Sequence, residues 1–455
     1  MKPSLSLLAF AFCVLSTARL PATEWVLSFA VTEEQVIESP DGKAPPRHET
    51  RHYSQAVALG TDYLVVQDDR KKTVFDFADR RLVVLDLAQA TYHDLSLYHL
   101  PSFYEYELMN RNAIGTAMRA AKVDRISATF TRFDNETALR VESRRAPADS
   151  PDPVIETVPQ ADALEFRHQG ATAVRFTPSA TSLPPDWHHR FVNYLAYSCN
   201  IHPRIRRALA ETKALSQGLT FTWRTAGNVT TTTLRLLSAA AADSDSSTLP
   251  AGVRPAEHPD DPFYRILSDV EHAARNPARP RREAVIRFAD DAITAKRPLD
   301  AIMALLEFGL QSGEQLTDDM RRHREIFNRD PACQSYLGAM RPSDKAAAEK
   351  SLAVNAALDR RGLAKAHMFD LQRANLLEQT GQPRQAVELY FKVLRANPYH
   401  AGALHDLGLN LARGFEPAKA WQCWDAARRL YPAHPMMRDI IRIEQDLLRN
   451  EPDFF

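Results

Sequence analysis

Two spacings of apolar residues divide this chain. Between positions 23 and 100 they return every second residue: Tyr53, Val57 and Leu59 in one run, Phe75 and Phe77 in the next, then Val83, Leu85 and Leu87. Side chains alternate across a strand, so these runs predict strands with one buried face. Thr61-Asp62, Asp68–Lys72 and Ala78–Arg81 separate them as polar turns, giving an antiparallel meander. Pro101–Lys122 has helical spacing, with Leu108, Ile114 and Met118 on its apolar side and Ser102 as its cap. Further strands are expected near Arg125–Phe133, Thr137–Ser143, Leu164–Gln169 and Thr172–Pro178, with two helices in Pro184–Leu215. Gly218–Ser238 closes this part as two strands around Ala226-Gly227-Asn228.

From Glu283 onward the spacing becomes helical, and it repeats. Pro398 and Pro432 stand 34 residues apart, which aligns the windows 367–400 and 401–434. Ala374 matches Gly408, Leu377 matches Leu411, Ala386 matches Ala420, Tyr390 matches Trp424 and Val393 matches Ala427. Each window reads as two helices joined by a short turn. Small residues sit where the helices cross closely, an aromatic fills the groove beside them, and proline ends the second helix. Gly381 marks the turn of the first window, where the second has Phe415. A degenerate unit fits 282–315 through Ala289, Ala292, Ala301, Leu305 and Phe308. Further helical stretches lie between it and 367, and Pro435–Asn450 reads as an amphipathic capping helix.

This pattern resembles the tetratricopeptide repeat (TPR) family. The resemblance implies an all-helical superhelix over 262–455, because one such pair cannot bury its own apolar face. It also implies a concave groove lined by the first helix of each pair, holding a protein or peptide partner. Gln372 and Arg373 in the first window, with His405, Leu409 and Asn410 in the second, are the candidate partner-binding residues.

The fold class expected is therefore α+β and multidomain: an antiparallel β-rich domain with inserted helices at 23–240, then the TPR-like helical domain. Ser238–Pro262 is small, polar and proline-containing, so 241–261 reads as a linker. Arg144–Gln160 reads as a long loop. Hairpins interrupted by helices also resemble the half-barrel of periplasmic lipoprotein-carrier (LolA-like) proteins. That resemblance implies an alternative function, carriage or sensing of an apolar ligand in a cavity lined by Phe75, Phe77 and Leu85.

Composition narrows the partners. Lys+Arg and Asp+Glu are equal at 57 each, so no bulk charge draws the chain to nucleic acid. Lys2 followed by the apolar run Leu5–Leu15 reads as a cleaved signal peptide over 1–22, predicting a periplasmic or secreted protein without a membrane span thereafter. Cys199, Cys333 and Cys423 are too few and too scattered for a disulfide framework, and read as buried thiols. His188, His189, Cys199 and His202 carry metal-ligand atoms without the paired spacing of known zinc sites. The neighbouring acids Asp68-Asp69, Asp260-Asp261, Asp290-Asp291 and Asp318-Asp319 read as solvated surface groups. No phosphate loop, nucleophile elbow or metalloprotease motif is present. The expectation is a non-catalytic scaffold or adaptor with no metal and no cofactor.

Overall fold

The computed structural model describes residues 23–39, 44–122, 131–143, 152–225, 227–258, 260–276 and 279–455. The signal segment expected over 1–22, and most of the strand expected at 125–133, lie outside the described residues. The front half is one twelve-stranded sheet and the back half is helical.

The sheet grows outward from its first strand. Strand β1 (Thr23–Ile37) pairs with β2 (Arg47–Leu59) on one side, and on the other with the much later β11 (Asn228–Asp243). The meander continues from β2 through β3 (Tyr63–Gln67), β4 (Lys71–Asp76) and β5 (Arg81–Asp86) to β6 (Thr91–Ser96). Beyond β11 lie β10 (Ser216–Thr225), β9 (Ala171–Pro178), β8 (Leu164–His168) and β7 (Ile155–Pro159). These pairs are antiparallel, and the short β12 (Arg254–Pro255) adds in parallel beside β6.

Inward residues of every second position, among them Leu27, Phe29, Val31, Phe75, Phe176 and Phe221, form one core. Helices α1 (His99–Ala120), α2 (Arg132–Leu139), α3 (Pro185–Ser198) and α4 (Pro203–Thr212) contribute to it. Tyr194 of α3 stacks 5.9 Å from Phe29, and Tyr197 lies 4.2 Å from Phe75.

Several expectations are corrected here. Thr137–Leu139 ends α2 rather than starting a strand, and Thr131 caps that helix by accepting from Asp134 N–H. Ile155–Pro159, read as loop, pairs with β8. Ser238–Asp243, read as linker, extends β11 and pairs along the start of β1, because its alanines fit a strand as well as a loop. Helix α1 begins at His99, which puts Ser102 inside it, and Ile114 is exposed. Leu85 does not share a face with Phe75: Phe75 lies opposite Leu82, and Leu85 opposite Lys72. One residue of register reverses a strand's faces.

Ser244, Ser246 and Thr248, also within 241–261, are hydrogen-bonded to the sheet. Ser244 and Ser246 hydroxyls donate to the buried carboxylate of Glu24, as does Tyr63 Oη at 2.7 Å, and Lys72 Nζ donates to Thr248 O. Burial opposes charge on Glu24, yet these donors hold its carboxyl below the usual carboxylate range.

In the back half, α5 (Pro262–Arg275) precedes a helical hairpin of α6 (Arg282–Thr294) and α7 (Pro298–Ser312). Three shorter helices follow, α8 (Thr317–Arg322), α9 (Arg324–Arg329) and α10 (Pro331–Gly338), then α11 (Lys345–Ala357). Two more hairpins pair α12 (His367–Gln379) with α13 (Pro383–Ala396), and α14 (Ala401–Arg413) with α15 (Pro417–Leu430), before α16 (Met437–Asn450).

The three hairpins turn in the same way. Lys296, Gly381 and Phe415 take φ of 57°, 82° and 62°, each followed one residue later by an N–H donating to Ala292, Leu377 or Leu411. A left-handed residue with this longer backbone bond closes a helix by the Schellman pattern. Pro298, Pro383 and Pro417 then start the second helices, where a missing N–H costs nothing. Gly408 shows why a small residue recurs: a Cβ there would stand 2.2 Å from Trp424 Nε1.

Helix α7, the second helix of the first hairpin, runs across the ends of the other two. Asp300 accepts from Ala364 N–H at 2.8 Å, and Glu307 binds Lys365 at 2.6 Å, His367, and Asn397 Nδ2 at 2.7 Å. Gln311 reaches Tyr431 Oη at 2.8 Å, and Leu310 O lies where a Cβ on Gly402 would be 2.6 Å away. Burial opposes ionisation of Glu307, but His367 and Lys365 bring its carboxyl down to about 2.

The last residues cross back to the sheet. After α16 a short 3₁₀ turn, Pro452–Phe454, places Phe454 wholly inside the sheet's core. Tyr197 Oη donates to Phe454 O at 2.8 Å, Asn193 Nδ2 to Asp453 O at 2.9 Å, and the buried Arg206 pairs with the Asp453 carboxylate at 2.8 Å.

Candidate binding trough along helix α5

Helix α5 lies beside two adjoining clefts and next to a third. Its apolar side, Phe263, Ile266 and Val270, packs against α13 and α15, while Asp261 caps its start by accepting from Phe263 N–H. Arg265, Ser268, Asp269 and Arg275 are thereby left on the open side.

The first cleft, about 650 Å³, separates the sheet edge from the helices. Tyr92, His93, Asp94 and Pro255 form one wall, and Tyr264, Arg265, Arg275, Gln422 and Arg429 belong to the other. His258 bridges them, stacked 5.1 Å from His93 and 4.2 Å from Tyr264. Burial, then His258, keeps His93 below the ordinary histidine range, so its ring is neutral near pH 7. Arg81 spans the floor between Asp94 at 2.8 Å and Asp425 at 2.6 Å. Arg429 faces Glu271 at 3.3 Å. Arg265 and Arg275 have no ion-pair partner among the described residues.

A second cleft of about 560 Å³ shares Ser268 with the first and adds Asp269, His272, Arg395, Pro398 and Tyr399. Through Pro398 and Tyr399 it adjoins a third, about 490 Å³, whose apolar wall is Val285, Phe288 and Phe308. Glu307, Lys365, Gln311 and Asn397 line its floor, and their polar atoms bond chiefly to one another. The third cleft can therefore take an apolar side chain, while the first is lined by four arginines and four acids.

The residues singled out from the repeat do not line this trough. Gln372 is buried, donating to Tyr336 O at 2.9 Å and accepting from Asn355. His405 and Asn410 are buried too, and His405 O accepts from Trp424 Nε1 at 3.2 Å. Leu409 is half-buried, and Arg373 stays exposed. Helical periodicity identified the faces of α12 and α14 but could not say that other helices cover them.

The remaining candidates resolve into structural roles. Cys199, Cys333 and Cys423 are buried and unbridged, and burial pushes the Cys199 and Cys333 thiols up to about 12. His202 is sealed against Glu136 at 2.8 Å and stacked 5.0 Å from Phe133. No group of three metal-ligand side chains occurs among the described residues. Phe75 and Phe77 belong to the filled core beneath α3. No described helix is long and apolar enough to cross a membrane.

No known protein family matches the chain, and no curated protein matches it. One solved structure that it resembles is described as "Lipid-protein interactions in lipovitellin", at 9% identity and a TM-score of 0.16, over 96% of this chain. The chain spans about 56% of that structure's length. A likeness this slight carries no argument about fold or ligand.

Proposed function

We propose that this chain is an exported, non-catalytic scaffold or adaptor. In this reading its tetratricopeptide-like hairpins hold the trough along α5 rigid, and the trough docks a segment of a partner protein. The observation carrying the reading is the identical closure at Lys296, Gly381 and Phe415, braced by α7 across the hairpin ends. A braced cleft loses little conformational entropy when a peptide enters, so several weak contacts can sum to useful affinity. Val285, Phe288, Phe308 and Tyr399 would supply the apolar part. The place of docking thus moves from Gln372, His405 and Asn410 to the open side of α5. Export rests on the apolar run of Leu5–Leu15.

The test is selection of a random peptide library on the full mature chain, repeated with Phe288→Asp. Enriched peptides should bind the parent protein and lose about tenfold or more in affinity on the variant, the scale of one apolar anchor. A library that yields no saturable binder, or binders indifferent to Phe288→Asp, removes this reading.

A further inference from the structure

Another cleft, of about 270 Å³, lies where α2 meets β8, β9 and β10, and it shares no lining residue with the trough. Phe133 and Asp134 come from the first turn of α2, His168 from the end of β8, and Arg224 from the end of β10. Three of these keep unused bonding capacity. Arg224 has no ion-pair partner among the described residues. Asp134 accepts at Oδ2 from the Thr131 hydroxyl at 2.5 Å and likewise has no ion pair among them. His168 donates through Nδ1 to Val154 O at 2.9 Å, because a carbonyl only accepts, and this leaves Nε2 of the neutral ring as an acceptor.

The three groups surround one small space. Burial raises the Asp134 carboxyl, and Thr131, then Arg224 and His168, act against that rise, so both bases lie within electrostatic reach of the acid. The His168 ring is held by stacking 4.1 Å from Phe133, which itself stacks 5.0 Å from the sealed His202. Other charges of the β8–β9 hairpin are matched among themselves, Arg167 with Glu165 at 2.6 Å and Arg175 with Asp162 at 3.2 Å. The cleft thus presents one cation and one anion, set on different elements and held apart.

We propose that this cleft binds a small zwitterion, a free α-amino acid, with its carboxylate on Arg224 and its ammonium between Asp134 and His168 Nε2. A guanidinium offers a carboxylate two parallel N–H donors. The ammonium brings N–H donors of its own, for which the Asp134 carboxylate and His168 Nε2 are the acceptors. A guest with only one of the two charges leaves a protein group unmatched, so the arrangement selects for both at once. The cleft is smaller than the usual site for a drug-sized ligand, which favours a single residue over a peptide.

Isothermal titration calorimetry on the full mature chain tests this, with each standard L-amino acid titrated to about 10 mM. At least one should bind saturably, and its N-acetyl and C-amide derivatives should each bind about tenfold or more weaker, the scale of one charge-assisted contact. Arg224→Gln should weaken the free amino acid by a similar factor while leaving its amide as it was. Asp134→Asn should weaken it too, with the N-acetyl derivative left as it was. Asparagine still accepts from the Thr131 hydroxyl and Arg224 is exposed, so an unchanged thermal melt certifies both variants. The derivative comparison is made on the parent protein and stands even where a variant fails to fold. Absence of saturable heat from every amino acid overturns the proposal. Equal binding of the blocked derivatives, or of glycine betaine, which has no N–H to donate, overturns it as well, as does affinity that survives both substitutions.

Discussion

His400 shows how one side chain ties the helical half to pH. It starts α14 by accepting from Ala403 N–H, yet its ring is sealed from solvent and its Nε2 has no partner. Burial, only partly offset by Glu307, holds its folded value down to about 4. A histidine lowered in the folded state stays neutral there while the unfolded chain takes up a proton below about 6.5. Its contribution is therefore complete above that pH and is lost as pH falls toward 4. The loss would reach roughly 3 kcal/mol. His434, also lowered by burial, adds in the same direction. Urea unfolding between pH 7 and 4.5 should show this slope, and His400→Asn, which keeps the cap without the titration, should flatten it. Glu307 acts in a lower window: its share persists until pH drops below about 4.5 and fades toward 2. A flat profile in the parent protein contradicts the burial described for His400.

Hairpin turns and hairpin crossings set the next scale. Phe415 is a large side chain in a left-handed conformation where the first window has Gly381, and it is 43% exposed, so little packing compensates. Phe415→Gly is expected to stabilise by about 0.5–1 kcal/mol, the relief of that conformation less the added unfolded-state entropy. Gly408→Ala should do the opposite, by about 1–3 kcal/mol, since the indole of Trp424 cannot retreat in a packed crossing. Trp424→Ala should cost about 3–5 kcal/mol through the cavity it leaves. Differential scanning calorimetry of the three variants distinguishes these signs. At this scale much was legible from sequence, because a turn and the crossing beside it depend on residues close in the chain. The pairing of β11 with β1 was not, since two strands separated by most of the front half meet only through tertiary packing. Leu85 failed for a smaller reason: the turn at Ala78–Arg81 shifts the alternation by one, and no local residue announces it. The trough was hidden for a third reason, because Arg265 and Tyr399 come from distant segments whose adjacency has no sequence signature.

Across the whole molecule two cores, one in the sheet half and one in the helical half, meet at the chain's last residues. Phe454 fills space among Tyr104, Tyr197 and Arg206 of the sheet half, and Tyr98 stacks 5.1 Å from Trp421 of α15. Phe454→Ala is expected to destabilise by about 3–5 kcal/mol, with lost amide-exchange protection in the sheet and α3 rather than in α16. If protection in the sheet is unaltered, the halves are not coupled through this residue. Nothing in the sequence marked Pro452–Phe455 as more than a tail, because a single aromatic insertion has no period.

That insertion also orders events during biosynthesis. Strands β1 to β11 leave the ribosome before any of the helical hairpins, yet their interior keeps a gap until Phe454 emerges. Until then Arg206 lacks the Asp453 carboxylate and Asn193 Nδ2 lacks the Asp453 carbonyl, so the bonding of the sheet half is completed last.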